Sequence, residues 1–374
     1  MKQEGPPQQS MLSRAVEALT AMALGDAERA QQSLAGTGST ESGLGLLWQD
    51  EQVGPSVHVW LTELGLSRCI DGLSEAVVLA ASVEQWQRSE RWSRELLRLV
   101  PYLEEAGVDA TVLKGLGLAI LDYGGADHRA FGDLDLLVRP GQFDLASRAL
   151  KDAGYRPVSM APRVAGDGEE KDLHHRIFER APFAIDLHHR VRAHRSFHLS
   201  EDVGHRDRRR FSVLGHDFWA PSRGDQLLAI VLGMHVDIGL GSCRWKAVVD
   251  CLRLIGTMPE AEVAEFLDER TSDGTSRIAV NVLSLCAGMS STPVTRLEEA
   301  LAPHRGLVVR PPHGDAVALL RGHSRLRAKS WALKLYEQSR MTAWWTWLRT
   351  VPKQAWANRR SGRLRPSGGA DEVV

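Results

Sequence analysis

Residues 130–140, AFGDLDLLVRP, contain the pattern that most constrains the fold. Alternate residues of a strand lie on the same face, so Leu134 and Leu136 face a core while Asp133 and Asp135 share the other face. Burying two carboxylates in an apolar strand is costly unless positive charge lies between them. A divalent cation meets this need, since Mg²⁺ takes one or two carboxylates together with substrate phosphates. The alternative is an exposed strand face with two solvated aspartates.

A second feature lies upstream of these aspartates. The segment VDATVLKG (108–115) predicts a short buried strand that ends at Lys114 and Gly115 and leads into a helix. Backbone N–H groups at such a helix start can receive phosphate, and Lys114 adds a cation beside them. Arg129 also precedes the aspartates. It could neutralise phosphate or form a salt bridge in the loop, and the sequence leaves both readings open.

The pentapeptide Asp-Leu-His-His-Arg occurs twice, beginning at Asp172 and at Asp186. Asp186 lies within FAIDLHH, where apolar residues alternate with it and His188 shares its face. Asp172 instead follows the charged run GDGEEK and begins its segment. We therefore predict that Asp186 is a third carboxylate of the same site and that Asp172 lies in a loop or strand entry. The two copies predict strands joined as a hairpin around Ala181-Pro182.

Histidines are concentrated in the same region, with eight of the fourteen between residues 174 and 216. His188 could touch a substrate or orient the Asp186 carboxylate. A zinc site from His174, His188 and an acid is an alternative, although it has no recognised ligand spacing. Surface polar residues near an anionic pocket are the simpler interpretation for most of these histidines.

Helical patterns flank the strand-rich region, with one helix predicted over 10–36. We expect an α+β protein with an N-terminal helical region (1–106), a central strand-rich domain (107–220), a C-terminal helical domain (221–357) and a disordered end (358–374). Before residue 107, apolar residues recur at helical spacing at Trp86, Leu96, Leu97, Val100 and Leu103.

The composition is that of an ordinary globular protein, with 43% hydrophobic and 25% charged residues. The first ten residues lack the apolar segment of a signal peptide, and no apolar run is long enough to span a membrane. A cytoplasmic location is therefore expected. The four cysteines are scattered, which favours buried free thiols over a zinc ribbon or a disulfide framework.

The C-terminal part is strongly basic. Residues 321–365 hold twelve Lys and Arg and one acid, a local charge of +11. Helical spacing places Met341, Trp344, Trp345 and Leu348 on one apolar face. We expect this Trp-rich tail to dock on the body of the protein, with an anionic partner such as a membrane surface or RNA as the alternative.

In combination, four segments resemble a poorly characterised bacterial nucleotidyltransferase family, often found beside peptide-modification gene clusters, within the DNA polymerase β-like superfamily. The matching positions are Leu113-Lys114-Gly115, Arg129 to Asp135, Ile185 to His188, and Trp245 to Asp250. The broader superfamily has Gly-Ser or Gly-Gly in the turn. Lys114 departs from that pattern and stands as a substitute phosphate ligand.

The resemblance implies a polymerase β-like palm over 107–220. It implies transfer of a nucleoside monophosphate from an NTP to a peptide, protein, small molecule or RNA end, with release of pyrophosphate. Mg²⁺ or Mn²⁺ would be bound by Asp133, Asp135 and Asp186. The implied nucleotide-binding residues are Lys114, Gly115, Arg129, His188, Arg244 and Lys246.

Other interpretations remain open at this point. Lys246 and Asp250 are four residues apart, so a helix-surface ion pair is the structural alternative for Lys246. A non-catalytic nucleotide-binding accessory protein and a metal-dependent phosphoester hydrolase are the alternative functions. The complete set of three carboxylates argues against an accessory protein, because a scaffold would not need them aligned.

Overall fold

A computed structural model describes six stretches of the chain, and all structural statements refer to them. These stretches are residues 11–35, 44–158, 175–191, 199–240, 243–289 and 294–307. The predictions for residues 1–10 and 358–374, for Asp172 and His174, and for the basic Trp-rich tail lie outside the described residues.

A mixed five-stranded sheet forms the centre of the described chain, in the order β1-β2-β5-β4-β3. Its strands are β1 (Thr111–Leu113), β2 (Leu134–Leu137), β3 (Arg156–Pro157), β4 (His175–Arg180) and β5 (Phe183–His188). Strands β2 and β5 are parallel, whereas the other neighbouring pairs are antiparallel. The predicted hairpin around Ala181-Pro182 is present as β4–β5, with a cis peptide bond at its turn.

A second hairpin, which the sequence patterns did not predict as such, follows the sheet. It consists of β6 (Arg209–Val213) and β7 (His216–Ala220). Its inward side chains, Phe211 and Val213, belong to the same core as the sheet.

Twelve α-helices surround these strands in the described residues. Those before the sheet are α1 (Met11–Ala23), α2 (Ala27–Ala35), α3 (Leu44–Asp50), α4 (Gly54–Glu63) and α5 (Gly72–Glu105). Two lie between strands, α6 (Gly115–Tyr123) and α7 (Phe143–Asp152). Those that follow are α8 (Arg223–Leu240), α9 (Trp245–Thr257), α10 (Glu260–Asp273), α11 (Ser276–Gly288) and α12 (Thr295–Leu301).

Two helical predictions are corrected. The single helix expected over 10–36 is the pair α1 and α2, because Gly25 adopts φ +76° and turns the chain between them. Trp86, which helical spacing grouped with Leu96 and Leu103, is 54% exposed. The inward face of α5 instead contains Trp92, Leu96, Leu99 and Leu103.

The buried apolar residues form two clusters. One joins the sheet, the β6–β7 hairpin and α5–α7. The other combines α1–α4 with α8–α12, so that Trp48 and Trp245 are buried in the same core. The helices on the two sides of the strand-rich region therefore pack together instead of forming separate bodies. Among the described residues, no helix is both long and apolar enough to cross a membrane.

All four cysteines are free; Cys243, Cys251 and Cys286 are buried as expected, whereas Cys69 is half-buried.

Candidate active site

Parallel pairing of β2 with β5 brings two predicted carboxylates together. Asp135 and Asp186 are directly opposite each other in the register of the two strands. Their neighbours Leu134, Ile185 and Leu187 are fully buried on the opposite face. The alternation read from the sequence therefore separates an apolar face from a carboxylate face. Asp133 lies two residues before Asp135, at the entry of β2, and is exposed.

His188 lies on the same face, two residues after Asp186. Its Nε2 is 3.0 Å from Oδ1 of Asp135, and only 6% of the residue is exposed. The His188 ring also stacks on His175, its strand partner, at 5.3 Å between centroids. Ligand atoms of Asp135, Asp186 and His188 all lie within 4.8 Å of one another, as in a site that could hold a metal ion.

The three carboxylates shift one another's proton affinity. Burial and the charges of Asp135 and Asp133 raise the pKa of Asp186 to about 6. Asp133 reaches solvent, but reduced hydration and the charge of Asp135 raise its pKa as well. Burial acts to raise the pKa of Asp135 too, but Lys114 and His188 outweigh it and lower that pKa to about 2. Burial and mutual repulsion therefore oppose ionisation of Asp133 and Asp186, whereas nearby positive charge favours ionisation of Asp135.

The Lys114-Gly115 turn supplies part of the positive charge. The Lys114 charge stabilises the ionised form of each of the three carboxylates. Helix α6 begins at Gly115, where a Cβ would lie 3.6 Å from the carbonyl oxygen of Asp133. The start of the helix therefore adjoins the carboxylate strand.

Lys114 has an unusual backbone conformation for a non-glycine residue, with φ 54° and ψ −138°. Its N–H donates a hydrogen bond of 3.0 Å to Oε1 of Gln226, a fully buried residue of α8. Sequence reasoning missed Gln226. The available signal was a lone amide side chain at the start of the apolar run QLLAIVLGM.

Arg129 does not reach into the carboxylate cluster as a free cation. Its Nε and Nη2 each donate a 2.7 Å hydrogen bond to Asp250 on α9, and the two side chains are 4% and 2% exposed. The hydroxyl of Tyr123 donates to the same carboxylate at 2.7 Å. Burial would lower the pKa of Arg129, but Asp250 outweighs it and raises that pKa above its ordinary value. The structure thus places Arg129 in a salt bridge, although its partner lies on a distant helix and not in the loop.

Lys246 lies one helical turn before Asp250 and points to the loop that leads into β2. Its Nζ donates to the carbonyl oxygen of Ala130 at 3.3 Å. Burial and Arg129 lower the pKa of Lys246 to about 8, while Asp250, Asp133 and Asp135 oppose this shift. The Asp250 carboxylate accepts hydrogen bonds from Arg129 and Tyr123. The ion pair between Lys246 and Asp250 on the helix surface, considered from the sequence, is therefore not formed.

A cleft of about 450 Å³ opens beside the same loop, at Gly132. Its other walls come from α3–α5 and from Arg244, which precedes α9. The guanidinium of Arg244 donates to the backbone oxygen of Asp50. Among the described residues no ion pair joins Arg244 to a carboxylate of the cluster, so the structure places it on this cleft and not on the cluster.

Comparison with known proteins agrees with the motifs. Residues 46–290 match a protein-family model described as uncharacterised nucleotidyltransferase. The match covers more than half of the chain and includes every candidate site residue from Lys114 to Lys246. It confirms the resemblance to an uncharacterised nucleotidyltransferase family. Comparisons with curated proteins and with solved structures gave no match.

Proposed function

Because the chain belongs to this uncharacterised nucleotidyltransferase family, we propose that it transfers a nucleoside monophosphate from an NTP to an acceptor, with release of pyrophosphate. One observation carries the proposal. Asp135 and Asp186 face each other on neighbouring parallel strands, and Asp133 adjoins the Lys114-Gly115 turn. Carboxylates beside a helix start are suited to a metal-bound triphosphate.

The five-stranded sheet is proposed to be a DNA polymerase β-like palm, within residues 107–220. The mixed strand order, with the carboxylates on the central parallel pair β2–β5, supports this proposal. Helices α1–α4 and α8–α12, which share the other apolar cluster, would then flank the palm.

The donor set fits a divalent cation that prefers oxygen ligands. Asp133, Asp135 and Asp186 would hold Mg²⁺ or Mn²⁺. Burial, together with the neighbouring carboxylates, raises the pKa values of Asp133 and Asp186, and a cation would offset the part that comes from repulsion. When bound, the metal would supply charge neutralisation for the phosphates and for the leaving pyrophosphate. Lys114 would bind phosphate as a point charge, and the first N–H groups of α6 would receive phosphate oxygens.

In the proposed reaction, an acceptor hydroxyl or phosphate oxygen attacks the α-phosphorus of the NTP. The bond from that phosphorus to the bridging oxygen of the β-phosphate breaks, and pyrophosphate leaves with the electron pair. A hydroxyl proton would pass to the oxygen of the Asp186 carboxylate that does not hold the metal. Lys246, which holds the loop before Asp133, would add positive charge near the phosphates.

The test is incubation of the full chain with each NTP and Mg²⁺ or Mn²⁺, followed by mass spectrometry of the protein and of candidate peptide, small-molecule and RNA acceptors. Pyrophosphate together with an added nucleotide mass is the expected result. Nucleotide binding without turnover would indicate an accessory protein. Release of free nucleoside monophosphate or phosphate with no modified acceptor would indicate a hydrolase.

The variant Asp133→Asn/Asp135→Asn is expected to abolish transfer while the circular dichroism spectrum stays unchanged. Asp152→Asn, an exposed aspartate at the end of α7, is the matched control and should keep full activity. Transfer retained by the double variant would refute the assignment of the carboxylate site.

A further inference from the structure

We propose that His188 is itself a metal ligand through Nε2, beside Asp135 and Asp186, and that this nitrogen makes the site prefer Mn²⁺ to Mg²⁺. The inference rests on the proposed function, because it concerns the same site. It changes the ligand set from three carboxylates to one that includes an imidazole.

The separation of the donor atoms supports direct ligation. Nε2 of His188 and Oδ1 of Asp135 are 3.0 Å apart. Two neighbouring ligands at right angles, each about 2.1 Å from a cation, are separated by about 3.0 Å. A carboxylate oxygen of Asp186 lies within 4.8 Å of a ligand atom of Asp135 and of one of His188. A cation could therefore contact all three side chains without a large movement of the strands.

The imidazole is held in place by its surroundings. His188 is 94% buried, since only 6% of it is exposed. Its backbone oxygen accepts a 2.9 Å hydrogen bond from the N–H of Val138, which fixes the end of β5 against β2. The His175 ring packs on its face at 5.3 Å. An orientation fixed in this way favours ligation, because little side-chain freedom remains to be lost.

Ligand chemistry then determines which cation binds better. Mg²⁺ strongly prefers oxygen and keeps several waters. Imidazole nitrogen suits Zn, Cu, Fe and Ni, and Mn²⁺, which also takes carboxylate and water, lies between Mg²⁺ and those metals. Mn²⁺ accepts carboxylate and imidazole ligands together, so replacing one oxygen by Nε2 shifts the preference toward Mn²⁺.

A competing arrangement makes the opposite prediction. If His188 only donates a hydrogen bond to Asp135, it occupies a carboxylate oxygen and competes with the metal. Removing the ring would then leave metal affinity unchanged or increase it. Measurement of affinity therefore distinguishes a ligand from a competitor, and direct nitrogen coupling to the metal distinguishes a ligand from a histidine that only orients Asp135.

The experiment compares the full-length wild-type chain with His188→Gln and His189→Gln. His189 is the adjacent histidine, whose ring packs on Phe143, and it serves as the matched control. Calorimetric titration with Mn²⁺ alone should show about a tenfold or greater loss of affinity in His188→Gln and no change in His189→Gln. The loss of Mg²⁺ affinity should be smaller, so that the preference for Mn²⁺ decreases. Unchanged or tighter Mn²⁺ binding by His188→Gln would overturn the proposal.

A measurement on the wild-type chain does not depend on the folding of a variant. Pulsed electron paramagnetic resonance of the Mn²⁺-bound protein should detect a directly coordinated ¹⁴N nucleus, and ¹⁵N labelling of histidine should change its signal. Bound Mn²⁺ without nitrogen coupling refutes ligation by His188 even if nucleotide transfer is observed. Nitrogen coupling in a protein that releases no pyrophosphate with any NTP would instead refute the proposed transfer and leave the metal site in place.

Discussion

Breaking the buried ion pair between Arg129 and Asp250 is expected to destabilise the protein by about 3–5 kcal/mol, because the remaining charge would be left buried without a partner. Both single variants lose the two 2.7 Å hydrogen bonds between Arg129 and Asp250, and Asp250→Leu also loses the one from Tyr123. Charge-assisted bonds contribute about 1.5–3 kcal/mol each, which gives a total of the same size. The pair joins the loop before β2 to α9, so its loss should also displace Asp133.

The variants are Arg129→Met, Asp250→Leu and the double variant, with stability measured by urea unfolding followed by far-UV circular dichroism. Replacing both charges by apolar side chains removes the unpaired ion, and only the Tyr123 hydroxyl loses its acceptor, at about 1–3 kcal/mol. The double variant should therefore be more stable than either single variant.

The control is Arg139→Met, which breaks the Arg139–Asp202 pair. That pair has the same 2.7 Å distance, but its side chains are 48% and 62% exposed. Its loss should change stability by about 1 kcal/mol or less. The reasoning fails if Asp250→Leu is no more destabilising than the control, or if the two single effects simply add in the double variant.

Three further predictions concern the charged groups of the site. The Asp186 pKa of about 6 lies above the value of about 3.9 for an unfolded aspartate. Its contribution to stability is therefore present at low pH and lost as pH rises toward 6. Thermal unfolding of the metal-free protein should show this loss of stability, and Asp186→Asn should abolish this part of the pH dependence. In urea unfolding, Lys114→Gly should have a free energy of unfolding about 1 kcal/mol higher, because glycine relieves the strain of the φ of 54°. The same variant should bind NTP more weakly. Lys114→Ala should show only the weaker binding. Lys246, with a pKa of about 8, should lose its charge above that pH, so the KM for NTP should rise there, and Lys246→Arg should move the rise to higher pH.

The core of the site could be predicted from local sequence patterns. The alternation in FGDLDLLV and FAIDLHH determines which side chains share a face, so Asp135, Asp186 and His188 could be placed together without coordinates. Such a pattern has a period of two residues and is repeated within a single strand, so it can be recognised in a single sequence.

Contacts between distant segments could not be predicted in this way. Arg129 and Asp250 are 121 positions apart, and only the packing of α9 against the loop before β2 pairs them. The amide contact from Lys114 to Gln226 spans 112 positions. A residue's type gives its possible partners, but burial decides which partner it takes, and burial is a property of the assembled fold.

The core shared by α1–α4 and α8–α12 has a consequence for the order of events during synthesis. Helix α1 ends at Ala23, whereas its packing partner α9 ends at Thr257. At about 5–20 residues per second, α1 waits on the order of 10 to 50 seconds for this partner. During that interval the apolar face of α1 lacks the cover that α9 gives it. The nascent chain is therefore expected to depend on chaperones until its last helices emerge, and fragments that end before α8 should aggregate.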